Sequence, residues 1–280
     1  MMFLSRRHLL TTGLLLCVAA TCFSLGAWYS QQRLEGRIAA AVDAHSTLLT
    51  DVTHHLRNEM GLMPISMLRD RRKSFVEVNA YDELGAMRYS TAGHLGDGYF
   101  ITVKHGVMAL TEEQTKTTLV RVLYKGKQLD ATVVDSGTAN AEVHPGDWAI
   151  IKVEEPVDLP ALTIDAGYSY AFADPIFRLG NDYSKGIILS TGYIGQRTSD
   201  GLVTSLTDGH PGVSGGGVLN RDGKLVGIPI GRMEADYRFS FILPVRAEMF
   251  RKVPEMAAQF SVTDSKSLSV QEAVDQVAVF

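Results

Sequence analysis

Gly212-Val213-Ser214-Gly215-Gly216-Gly217-Val218-Leu219-Asn220 runs almost directly into a turn and strand, Gly223-Lys224-Leu225-Val226-Gly227-Ile228. A serine set among glycines ahead of an apolar run has what a nucleophile needs: an exposed hydroxyl on a sharp turn, with backbone N–H groups close by to hold a developing oxyanion. The glycines let the chain turn tightly and let a substrate carbonyl approach the backbone. Alone, the motif is equally a structural turn between two strands, so its meaning depends on what the rest of the chain supplies.

Two upstream segments supply it. Gly96-Asp97-Gly98 opens the apolar strand Tyr99-Phe100-Ile101-Thr102-Val103, which delivers Lys104-His105 into a turn. A general base needs that placement, rigid yet reachable. Gly146-Asp147 leads a second apolar strand, Trp148-Ala149-Ile150-Ile151-Lys152-Val153, and a carboxylate partly buried there could orient an imidazole and stabilise its charged form. Singly, the histidine is more often structural and the aspartate a turn cap. Together they stand in the order His, Asp, Ser, one of the chain orders in which this constellation recurs.

From Lys73 to about Val245 the chain consists of short β-type runs divided by turns, among them Phe75–Val78, Leu119–Leu123 and Ala131–Val134. A proline-bearing stretch, Glu155 to Ala166, interrupts the series. It reads as the crossing between two similar halves of about six strands each. His105 and Asp147 fall in the first half and Ser214 in the second, so the three would meet in a cleft between them.

These motifs as a set resemble the trypsin-like serine proteases, and more closely the HtrA/DegP branch. Gly-x-Gly-Tyr-Phe-Ile-Thr-x-x-His ending at His105 is similar to that family's histidine strand, and Asp147-Trp-Ala-Ile-Ile-Lys-Val to its aspartate strand. Gly212-Val-Ser-Gly-Gly resembles its serine loop, Phe177-Arg-Leu-Gly180-Asn181 its Ile-Gly-Asn segment, and Phe241-Ile-Leu-Pro244-Val245 its Phe-Ala-Ile-Pro. The chain departs from the pattern at Val213, where Asn or Asp is usual, and at Gly217, where Pro is usual; no PDZ domain follows Val245.

The resemblance implies an all-β fold of two six-stranded Greek-key β-barrels, over about 67–160 and 161–250. It implies peptide-bond hydrolysis through a Ser acyl-enzyme, with His105, Asp147 and Ser214 as catalytic triad and the backbone N–H groups of Gly212 and Ser214 as oxyanion hole. Protein or peptide substrates are the implied partners, and no metal or organic cofactor is required. The alternative is a catalytically silent protease-fold scaffold or chaperone-like binding module. For the substrate pocket, Asp208 stands about where trypsin-like enzymes place the pocket floor and would select Lys or Arg. The apolar Ile228, Pro229 and Ile230 would instead suit small aliphatic side chains, which is the favoured expectation.

Composition limits the rest. The 280 residues are 45% hydrophobic and 21% charged, as in a globular protein with a sizeable core. A formal net charge of −4 gives no case for nucleic-acid binding. The two cysteines, Cys17 and Cys22, both lie in the apolar N-terminal segment, so the remainder has no disulfide, thiol nucleophile or thiolate metal ligand. A metal set from His45, His54 and His55 is disfavoured, because partly exposed helix histidines are the commoner case.

Arg6 and Arg7 precede His8 to Tyr29, an uncharged and largely apolar run of about one bilayer's length, with Trp28 and Tyr29 placed for an interfacial belt. Residues 1–30 are expected to be a signal anchor, giving a single-pass membrane protein with its β domain extracytoplasmic. A cleaved signal peptide, leaving an exported soluble protein, is the alternative. Residues 31–66 read as a helical stalk, with Leu34, Ile38, Ala41, His45, Leu48, Val52 and His55 on one stripe. The tail 251–280 has helical spacing at Val270, Ala273, Val274 and Val277. These helical ends could mediate a homo-oligomer.

Overall fold

The computed structural model describes residues 6–182, 186–207, 210–233 and 236–260, in two units, Met1–Met60 and Gly61–Phe280. The first unit is a single helix, α1, Arg6–Met60. No proline interrupts it, and Gly61 ends it in the left-handed conformation at φ +59°. Among the described residues no helix is long and apolar enough to cross a membrane. The side chains of residues 6–17, which include much of the apolar run, lie outside the described set.

The second unit opens with a short helix, α2 (Ile65–Arg72), and then builds two closed barrels of six antiparallel strands each. The first contains β1 (Phe75–Asp82), β2 (Met87–Gly96), β3 (Tyr99–Thr102), β4 (Thr117–Tyr124), β5 (Lys127–Ser136) and β6 (Ala149–Val153). A one-turn helix, α3 (Lys104–Val107), follows β3. The second contains β7 (Pro175–Asn181), β8 (Ile187–Arg197), β9 (Val203–Leu206), β10 (Gly217–Leu219), β11 (Leu225–Met233) and β12 (Asp236–Pro244). A 3₁₀ turn (Ala247–Phe250) and a helical stretch over 254–260 end the described chain. The tail positions Val270, Ala273, Val274 and Val277 lie outside it.

Around the first barrel the strand order is β1-β2-β3-β6-β5-β4, and around the second β7-β8-β9-β12-β11-β10. The two halves therefore share one topology, in which the third strand of each pairs with its last. The proline-bearing crossing carries no strand, only a single bridge from Ile164 to Leu225.

Side-chain alternation explains why the central strands read as unbroken apolar runs. On β1, Val76, Val78 and Ala80 fill the first barrel, while Phe75 enters the cluster shared by the two barrels. Phe100 and Ile151 likewise face the barrel interior, and their neighbours Ile101 and Ile150 the shared cluster. Phe177, Leu179, Leu219 and Leu225 meet them from the second barrel. Strands covered on both faces keep few polar positions, so the two barrels hold one another at a fixed separation.

Candidate active site

His105 occupies α3, immediately beyond the end of β3. Gly106 next to it is required by space, because a Cβ there would press on the Cβ and hydroxyl of Ser90. Asp147 is completely buried and enters β6 from a turn in which its N–H donates to His144 O, at 2.9 Å. The two residues meet through both carboxylate oxygens. Asp147 Oδ1 accepts the backbone N–H of His105 at 2.9 Å, and Oδ2 lies 2.6 Å from His105 Nδ1. A carboxylate so placed holds the ring proton on Nδ1 in the neutral imidazole and leaves the Nε2 lone pair facing away.

Ser214 comes from the second barrel by two successive tight turns. Val213 N–H donates to His210 O at 3.4 Å, with Pro211 and Gly212 at the corners and Gly212 at φ +94°. Proline followed by a positive-φ glycine is the signature of a type II turn. Gly216 N–H then donates to Val213 O at 3.0 Å, placing Ser214 at the first corner of the next turn, with Gly215 at φ +81°. Ser214 and His105 line one cleft of about 820 Å³. Among the described residues no hydrogen bond joins their side chains, and the N–H groups of Gly212 and Ser214 donate to no protein acceptor.

The serine loop is fastened to the first barrel by residues that no local motif announces. Thr91 N–H donates to Ser214 O at 2.8 Å, and Thr91 Oγ1 donates to Gly212 O at 2.7 Å while accepting Asn181 N–H at 2.8 Å. Thr102 Oγ1 in turn donates to Thr91 O at 2.7 Å. A Cβ on Gly215 would overlap Thr91 O and Thr102 Oγ1, so the glycine is what permits this approach. The two departures from the family pattern also have a local basis. Val213 is buried against Gly180, and Gly217 makes room for the Phe75 ring, which a Cβ at that position would overlap.

The pocket residues expected from sequence are not all brought together. Pro229 lines the cleft, but Ile228 and Ile230 are wholly buried in the cluster shared by the barrels. Alternation along β11 accounts for this, since the two isoleucines share one face and Pro229 has the other. Asp208 lies outside the described residues. Arg178, which no sequence motif singles out, lines the cleft at only 2% exposure. The available signal was a cation within Ile176-Phe177-Arg178-Leu179, where every neighbour is a core residue. No group of His, Cys, Asp and Glu suited to a metal ion occurs among the described residues.

Known proteins share this fold. The trypsin-like peptidase domain family matches residues 90–228, a span that includes His105, Asp147 and Ser214. The chain is 29% identical over 140 residues to the serine endoprotease DegS of Escherichia coli (strain K12), covering 47% of this chain and 36% of that protein. It thus spans little more than a third of that relative's length. Among solved structures, the serine endoprotease from Yersinia pestis superposes with a TM-score of 0.54 at 22% identity, over 68% of this chain and 64% of that one. The HtrA-type protease AlgW, solved with a tripeptide, gives 0.54 at 18% identity, over 64% and 58%. At these identities the two structures speak to fold alone.

Proposed function

We propose, from the premise that this chain carries a trypsin-like peptidase domain homologous to the DegS/HtrA-type proteases, that it hydrolyses peptide bonds of protein substrates through a serine acyl-enzyme. The observation that carries the proposal is the double attachment of His105 to the buried carboxylate of Asp147, in a cleft shared with Ser214. Ser214 Oγ attacks the scissile carbonyl while His105 Nε2 takes its proton. Asp147 keeps the other ring proton on Nδ1 and stabilises the imidazolium. The N–H groups of Gly212 and Ser214 receive the oxyanion, where one donor is commonly worth about 10²- to 10³-fold in turnover. His105 then protonates the departing amine, and water attacking the acyl-enzyme repeats the sequence in reverse. Side-chain contacts between nucleophile and base commonly tighten only when substrate is bound.

Casein hydrolysis tests this. Ser214→Ala or His105→Ala should each lower turnover by several orders of magnitude while the circular dichroism spectrum is unchanged. Cleavage by purified Ser214→Ala at the wild-type rate would remove the assignment.

The apolar run from His8 to Tyr29 supports a second element of the proposal, a single-pass anchor with the protease unit extracytoplasmic. The full-length protein is expected in the membrane fraction, and a protein starting at residue 31 in the soluble one. A soluble exported product whose N-terminus lies near Thr21 or Ala27 would show a cleaved signal peptide instead.

A further inference from the structure

We infer that the exposed apolar stripe of α1 between Leu34 and Met60 binds the same stripe on further copies of this chain, forming a parallel bundle of three or four helices. The inference concerns the helical unit alone and is independent of the peptidase reading.

Eight large apolar residues of this stretch, from Leu34 to Met60, keep half or more of their surface exposed. By helical rotation they fall within about a third of the circumference, along roughly 39 Å of the axis. The opposite face carries Asp43, Thr47, Thr50 and His54. A helix in water buries a stripe of this kind against a partner. At on the order of 100 Å² for each side chain, the stripe offers about 800 Å² per helix, the share that each partner of a stable complex contributes. The charges from residue 31 to 57 are balanced, Arg33, Arg37 and Arg57 against Glu35, Asp43 and Asp51. A helix lying on an anionic bilayer would instead be rich in Lys and Arg on its polar face. The occupant that fits is a second apolar stripe, which another copy of the chain supplies.

Spacing also sets the geometry. Ile38, Val42, His45, Leu49, Val52 and Leu56 alternate steps of four and three, the seam of a left-handed coiled coil. Leu34 and Leu48 widen it on one flank and Met60 on the other, so a single partner helix would leave part of the stripe wet. Of the two core positions in each heptad, the one at Val42, Leu49 and Leu56 is mainly leucine, and the one at Ile38, His45 and Val52 mainly β-branched. That distribution favours three or four helices over two. His45 is the one polar position in the seam. In a parallel bundle in register the His45 rings share one layer, where a neutral imidazole donates from one nitrogen and accepts at the other. Reversing one helix about the middle of the seam would set His45 against Leu49 instead. A single polar core position fixes register in this way, at a cost in stability.

Sedimentation equilibrium of the full-length protein in detergent micelles tests this. The wild type should form particles of three or four chains. Val52→Asp puts a carboxylate into the seam of every helix and should raise the dissociation constant by on the order of 100-fold. Thr50→Asp places the same charge on the opposite face and should leave the assembly intact. His45→Leu replaces the polar layer with an apolar one and should tighten association by about 10-fold. That variant serves if Val52→Asp does not fold. A monomeric or dimeric wild type would overturn the inference. So would an assembly that Val52→Asp leaves whole, which would put the contact elsewhere in the chain, or one that Thr50→Asp dissolves equally or His45→Leu weakens.

Discussion

At the scale of single residues, the proposed catalysis depends on groups whose own positions are fixed by others. Asp147 fixes His105 through two bonds, and Thr91 fixes the serine loop through its N–H and its hydroxyl. Thr91→Val keeps the shape of the side chain but removes the donor to Gly212 O and the acceptor for Asn181 N–H, leaving two buried backbone groups without that partner. A loss of about 1–3 kcal/mol in unfolding free energy is expected, read from urea denaturation. Casein turnover should fall with it, through kcat more than KM, because the loop carrying the proposed oxyanion donors loosens. Thr91→Ser should restore both. A Thr91→Val protein with wild-type kcat would show that the loop is positioned by other contacts. The difference between Thr91 and His105 also marks what the sequence could disclose. His105, Asp147 and Ser214 each sit in a short local pattern of glycines and apolar residues, which made them candidates only when taken as a set. Thr91 lies within a strand, and its contacts to the serine loop and to Asn181 join residues far away in the chain, at positions 212 and 181.

At the scale of elements, strand β2 carries a buried titratable group outside the candidate cleft. His94 is 3% exposed, stacks at a tilt on Phe100 with centroids 5.0 Å apart, and has Nδ1 3.3 Å from Pro160 O. Burial holds its pKa below the ordinary 6.5, against the opposing pull of the Pro160 and Leu159 carbonyls and of Asp97. The folded state thus keeps this ring neutral where the unfolded chain would protonate it. As pH falls below about 6.5 the unfolded state binds the extra proton first, and stability declines until the folded-state pKa is reached. One such proton is worth at most about 1.4 kcal/mol per pH unit. His94→Leu should therefore lose less stability than the wild type between neutral and mildly acidic pH, measured by urea denaturation at both. Identical pH dependence in the two proteins would contradict this. The same element scale shows where alternation misled. A hydrophobic run such as Ile228-Pro229-Ile230 announces a strand but not which of its faces meets a cleft, because β11 is buried on both sides.

At the scale of the whole molecule, the two barrels repeat one strand order, and the candidate site exists only where they meet. His105 and Asp147 come from the first barrel and Ser214 from the second, held together by Thr91, Thr102 and the shared cluster around Phe75, Ile101, Phe177 and Leu225. The strand count and the division into halves were legible because turns and apolar runs alternate at regular intervals. Closure of each barrel followed from the resemblance alone, since no local pattern specifies which strand pairs with the last. The most direct measurement of the central claim is covalent labelling of the folded full-length protein with a fluorophosphonate probe, followed by mass spectrometric location of the adduct. A serine activated by His105 should carry the label at Ser214, and His105→Ala and urea-unfolded protein should carry none. Absence of label from folded wild-type protein, or an adduct at another residue, would contradict the assignment and leave a protease-fold scaffold.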